Sequence, residues 1–121
     1  MFERLKDGIV DQQLMNEAAA ANPSLPVMVD EETRLDRINA PGGRKFVYNY
    51  TLLNPCYNDG SATAEFINEV KNIIRSQIVE NIKIESAMSW LRQNNVIFVY
   101  KYFDTKKKQV FEIEITPANY N

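Results

Sequence analysis

Apolar positions along the chain switch between two periods, and the switches mark its elements. Phe2, Leu5 and Ile9, with Val10, Leu14 and Ala18 beside them, recur every three or four residues, while Arg4, Lys6, Asp7, Asp11 and Gln12 fill the opposite side. That spacing predicts an amphipathic helix running to about Ala21. Asn22-Pro23 ends it, because proline biases the preceding residue away from helical geometry. Its apolar stripe can pack on the rest of the chain, on a second copy, or lead towards a membrane anchor.

A period of two then takes over from Val27 to Asn54, which reads as a β-hairpin. Val27-Met28-Val29 is a short apolar run that meets the acidic cluster Asp30-Glu31-Glu32, expected as a solvated turn or cap. Thr33–Ala40 is a strand of mixed polarity, with Leu35 assigned to one face and Ile38 to the other. Its charges suit an edge, where they resist strand-to-strand aggregation. Pro41-Gly42-Gly43-Arg44 makes the turn, its glycines available for positive φ. In Lys45–Asn54, Phe46, Tyr48, Tyr50 and Leu52 share the face expected to meet the core.

Pro55–Gly60 breaks the alternation and is expected as a loop. The period of 3.6 returns with Phe66, Ile67, Val70, Ile73, Ile74, Ile78 and Ile82, which predict the main core helix. A further turn or two spans Glu85–Gln93. Val96–Phe103 is apolar on both faces for half its length, which places it inside a sheet. Asp104–Lys108 is a charged turn, Gln109–Thr116 alternates cleanly, and Pro117 stops it.

The predicted fold is therefore α+β: a four-stranded antiparallel sheet made of two hairpins joined by the long helix, with helices on one face. Its 121 residues fit a single domain. Within it, residues 1–24 form the N-terminal helix and linker, 25–117 a β-β-α-β-β core, and 118–121 a tail.

Composition narrows the function. The chain carries 14 Lys and Arg against 16 Asp and Glu, a formal net charge of -2, which argues against nucleic acid as a partner. No apolar run reaches the ~20 residues that span a bilayer. The N-terminus lacks a signal peptide's pattern, so a membrane role requires an anchor absent from this sequence. The expected location is the cytoplasm for the chain as it stands, or the envelope if a leader or anchor has been removed.

There is no His, which excludes His-activated nucleophiles and most zinc sites. Cys56 is alone, so no intrachain disulfide and no Cys cluster forms. Gly42-Gly43 lies between strands rather than before a helix, so it is no phosphate loop. No metal and no cofactor are expected. Paired carboxylates remain open for acid–base work, with Asp30, Glu32, Asp36, Glu112 and Glu114 as candidates. The alternating Tyr48, Tyr50, Tyr100 and Tyr102 are read as core packing, with a stacking platform as the alternative. Lys106-Lys107-Lys108 is a positive tip suited to an anionic surface.

The segment LPVMVDEETRLDRINAPGGRKFVYNYTLLN resembles one in a group of small bacterial proteins that share Leu-Pro-x-x-Val-Asp-x-x-Thr-Arg-Leu-Asp, a Gly-containing turn and Tyr-Asn-Tyr-Thr-Leu. The matching positions are Leu25, Pro26, Val29, Asp30 and Thr33–Asp36, then Tyr48–Leu52. The resemblance implies no activity; some members sit behind a leader or single anchor, which implies an envelope location. The expected function is non-catalytic, through a protein partner or self-association as a homo-oligomer. The alternative is a small-ligand binder or acid–base enzyme using Asp30, Arg34 and Asp36 beside the first strand.

Overall fold

The computed structural model describes residues 2–121, with side chains from Leu5 onward. Helix α1 (Phe2–Ala21) is followed by β1 (Val27–Met28), β2 (Thr33–Gly42) and β3 (Lys45–Leu52). A single turn of helix, α2 (Pro55–Asn58), precedes the long α3 (Ala64–Ile84) and the short α4 (Ser89–Gln93). Strands β4 (Ile97–Phe103) and β5 (Gln109–Ile115) and a last turn of helix, α5 (Pro117–Tyr120), complete the chain.

The α+β class and the helical layer on one face hold. The sheet differs from expectation: it has five strands in the order β1-β2-β3-β4-β5, and β3 pairs with β4 in parallel. Two causes account for this. A helix of α3's length rises about 30 Å, more than the length of β3, so it carries the chain back to the end where β3 began. The next strand must then run parallel to β3, which makes β3-α3-β4 a crossover unit. The fifth strand comes from Val27-Met28, which pair with Leu35 and Arg34. The acidic cluster makes their reversal: Asp30 Oδ1 accepts the Glu32 N–H at 2.8 Å, and the Val29 N–H reaches the Thr33 carbonyl at 2.9 Å.

Strand β2 also departs from simple alternation. Leu35 pairs with Tyr50 and Arg37 with Asn49, so Asp36 is an extra residue, a β-bulge. The inserted residue brings Leu35 and Ile38 to the same face, where Ile38 is buried and Leu35 packs against the core. Their assignment to opposite faces is corrected by this bulge.

The core lies between the sheet and the helices. Val10, Leu14 and Ala18 of α1 are buried at steps of four over β2 and β3, and share one core with Ile38, Phe46 and the inward residues of β4 and β5. Helix α3 starts well: Thr63 Oγ1 accepts the Phe66 N–H at 3.1 Å, Glu65 sits in the first turn and Lys83 in the last, each favourable to the helix dipole. Helix α3 joins the core through Ile67, Val70, Ile74 and Ile78, all half-buried. Its one buried residue is Ile82, while Phe66, Ile73 and Ile84 are exposed. It packs on β5 at the sheet edge, so its broad apolar arc exceeds the surface available to cover it.

Arg44 ties three elements together. Its side chain bonds Asp7 Oδ1 and the Asn94 carbonyl, both at 2.7 Å, and its own carbonyl accepts the Ile97 N–H at 2.8 Å. Asp11 Oδ1 accepts the Arg44 N–H at 2.7 Å, at a backbone φ of 59°. This clasp joins α1 to the start of β4. At the other end of the chain, the expected tail is structured: α5 buries Tyr120, whose hydroxyl donates to the Val96 carbonyl at 2.8 Å. Cys56, expected in a loop, lies in α2, where Asn54 Oδ1 caps the turn by accepting the Cys56 N–H.

Candidate functional site

Helix α1 packs chiefly on β2 and α3 on β5, which leaves the middle of β3, at Tyr48 and Tyr50, only partly covered between them. Strands spaced about 4.8 Å apart set elements over β2 and β5 roughly 14 Å from each other, wider than the roughly 9 Å of directly packed helices. A groove results. Three hollows of about 430, 220 and 230 Å³ line it and merge, the first two sharing Tyr48 and Met88, the last two Tyr50, Ile78 and Asn81.

Tyrosines make its floor. Parallel pairing sets Tyr48 beside Tyr100 and Tyr50 beside Tyr102. Their rings stack at 4.9 and 4.8 Å between centroids, tilted by 10° and 11°, and Phe111 continues the stack from Tyr102 at 4.5 Å. Tyr100 and Tyr102 are buried, whereas Tyr48 and Tyr50 are half-buried towards the groove. Unlike Tyr120, these four hydroxyls have no hydrogen-bond partner among the described residues. They are donors and acceptors left for water or a ligand.

The walls are neutral or acidic. Gln13 and Glu17 stand on the α1 side, Gln77 and Asn81 on the α3 side, and Asp30 at the far end. No Lys or Arg lines these hollows among the described residues. Trp90, 39% exposed, stands at the α4 end. Phe66, Ile73 and Ile84 follow one another at roughly two and roughly three helical turns on one line of α3, an exposed apolar stripe.

Burial disfavours the phenolate, so all four floor tyrosines are pushed up, Tyr50 to about 12 and the other three further. Tyr48, Tyr100 and Tyr102 are raised further by neighbouring ionisable groups. At neutral pH the floor is uncharged, and none of these phenols serves as a base or nucleophile. A folded pKa raised above the ordinary 10 stabilises the fold fully below pH 10, and that contribution is lost as pH rises through the folded value. Absorbance at 295 nm should therefore show the floor tyrosines silent through pH 10 and ionising only with loss of structure. A single titration near pH 10 for every tyrosine, with near-UV dichroism intact, would refute the buried stack.

The sequence-derived site residues separate onto opposite faces. Asp30 lies at the end of the tyrosine groove, whereas Arg34 and Asp36 lie on the helix-free face. The Arg34 Nε donates to Asp36 Oδ1 at 2.5 Å, and the Thr51 hydroxyl donates to Asp36 Oδ2. The bulge explains why Asp36 reaches Arg34: it displaces the carboxylate from the strict alternation of β2. Lys106, Lys107 and Lys108 cap the β4–β5 turn, and Lys107 extends into a hollow shared with Arg34 and Asp36. Glu112 and Glu114 lie on the open face, Glu112 within 3.9 Å of Lys101. Among the described residues, no three Asp, Glu or Cys side chains are grouped to hold a metal ion.

The groove itself was missed by sequence reasoning, although its tyrosines were singled out. Their alternation gave the face but not the strand pairing that aligns them. The surplus apolar residues of α3 were the legible signal.

No curated protein sequence matches the chain. Its fold is similar to that of a Pseudomonas aeruginosa protein proposed to be secreted, with TM-score 0.75, 14% identity and 97% of each chain covered. It is also similar to the pilotin EpsS of the Vibrio vulnificus type 2 secretion system (TM-score 0.71, 13% identity, 96% of each chain). The type II secretion system pilotin AspS of Vibrio cholerae has a TM-score of 0.69, at 13% identity over 97% of each chain. At these identities the likeness concerns the fold. A family model matches residues 9–111, and the chain accordingly belongs to the family described as Domain of unknown function (DUF8479).

Proposed function

We propose that this domain is a non-catalytic interaction module that holds an apolar segment of a protein partner in the tyrosine-floored groove. The observation that carries the reading is the groove: aromatic floor, unpartnered hydroxyls, and an exposed apolar stripe on α3 beyond what the core needs. Exposed apolar surface of this kind, rimmed by polar residues, marks binding sites. The groove runs along the strands between two helices, which suits one amphipathic segment with its apolar side down. Glu17 and Asp30 near its two ends favour a segment flanked by basic residues. Two structural neighbours are pilotins of type 2 secretion systems, which supports a protein partner and an envelope location for this chain.

A photo-crosslinking amino acid at Tyr50, compared with one at the exposed Glu112 on the other face, tests this in the native bacterium. The expected result is a discrete adduct with one other protein from position 50 alone. Ile73→Asp, at a position 60% exposed, should weaken that complex roughly thirtyfold or more while leaving stability within about 0.5 kcal/mol. Adducts only with a second copy of the chain would replace the partner by self-association. Equal crosslinking from both faces would sink the groove as the site.

A further inference from the structure

We infer that the helix-free face of the sheet carries a second site, a hollow that binds a small carboxylate- or phosphate-bearing molecule. The hollow measures about 430 Å³, the size of small-molecule pockets, and opens on the side opposite the groove. Across it run Arg34, Thr51 and Phe103 in one row of paired positions and Arg37 with Asn49 in the next. The β4–β5 turn closes one end with Thr105 and Lys107.

Its charges do not cancel. Asp36 is occupied by Arg34 and by the Thr51 hydroxyl. Asp104 is occupied by its own turn, Oδ1 accepting the N–H groups of Lys106 at 2.8 Å and Lys108 at 2.9 Å. Arg37 and Lys107 remain without a carboxylate in ion-pair range among the described residues. Three cations, Arg34, Arg37 and Lys107, outnumber the two carboxylates Asp36 and Asp104 around the hollow, and two of the three are uncommitted, which favours an anion. Lys107 is held at φ 67°, a left-handed conformation unusual for lysine, at the residue that reaches into the hollow. The Thr51 and Thr105 hydroxyls and the Asn49 amide nitrogen donate within the protein, to Asp36, Asn58 and Asn39, which fixes the wall of the hollow, and the Phe103 ring adds a flat apolar side. A small ligand fits better than a polyanion, because Glu112 and Glu114 flank this face and the chain is net acidic.

Amide NMR titration of the whole protein with inorganic phosphate and with succinate, at low ionic strength, tests the site. Saturable shifts are expected at Arg37, Asn49, Thr105 and Lys107, with Tyr48 and Tyr50 unmoved. Whichever anion binds more tightly assigns the ligand class. Arg37→Gln and Lys107→Gln should each weaken binding about tenfold, while Lys83→Gln, on α3, should leave it unchanged. The site is overturned by an absence of saturable shifts, by binding that survives the double variant, or by equal weakening in Lys83→Gln. Groove variants bear on none of these outcomes.

Discussion

Replacing Leu14 by alanine should cost about 3 kcal/mol and lower the melting temperature by roughly 10 °C. Leu14 is fully buried at the middle of α1, between Val10 and Ala18 on the same ridge. Truncation removes its apolar contacts and leaves a cavity that neither the helix nor the sheet can collapse to fill. Leu5 on the same helix is 63% exposed, so Leu5→Ala should change stability by less than about 0.5 kcal/mol. Urea unfolding measures both, with the shift expected in the midpoint rather than the slope. The comparison decides what α1's apolar stripe is for. A small loss at Leu14 would mean that α1 docks loosely and that its stripe serves another chain.

Much of this architecture was legible. Alternation identified β3 and β5, because one face of each meets the core and its apolar residues recur at every second position. The ends of α1 followed from a ridge of apolar residues and from Pro23. The rest depended on terms that one segment does not carry. Val27-Met28 is too short to show a period, and it becomes a strand only because Leu35 and Arg34 offer it a ladder. The bulge at Asp36 is invisible without the register of β3, and missing it put Leu35 and Ile38 on different faces. Parallel pairing of β3 and β4 was implicit in the length of α3 but was overlooked in favour of two separate hairpins.

The same limit applies to function. Asp30, Arg34 and Asp36 form one cluster in the sequence, and the strand divides them between two faces. What they share is position at the mouths of two different hollows. Conversely, four tyrosines explained by core packing are a packed floor and a binding surface at once, since two are buried and two half-open. Burial and availability are compatible here because the helices pack chiefly over β2 and β5, so cover over β3 is incomplete.

The residues expected as a tail lead to the second large effect: Tyr120→Ala should destabilise the fold by about 4 kcal/mol. Tyr120 is 5% exposed, meets Phe98 edge-to-face at 5.9 Å, and donates its hydroxyl to the Val96 carbonyl. Val96 is itself fully buried at the start of β4, so that carbonyl has no ready access to water once the phenol is gone. The two contributions separate by substitution. Tyr120→Phe keeps the ring and the contact with Phe98 but leaves the carbonyl unpaired, at a cost of about 1–3 kcal/mol. Tyr120→Ala removes both. Thermal unfolding of the two variants should rank them in that order, each below the parent. Parity of Tyr120→Ala with the parent would show that α5 is no part of the core, and that the last turn adds nothing to the hold on β4.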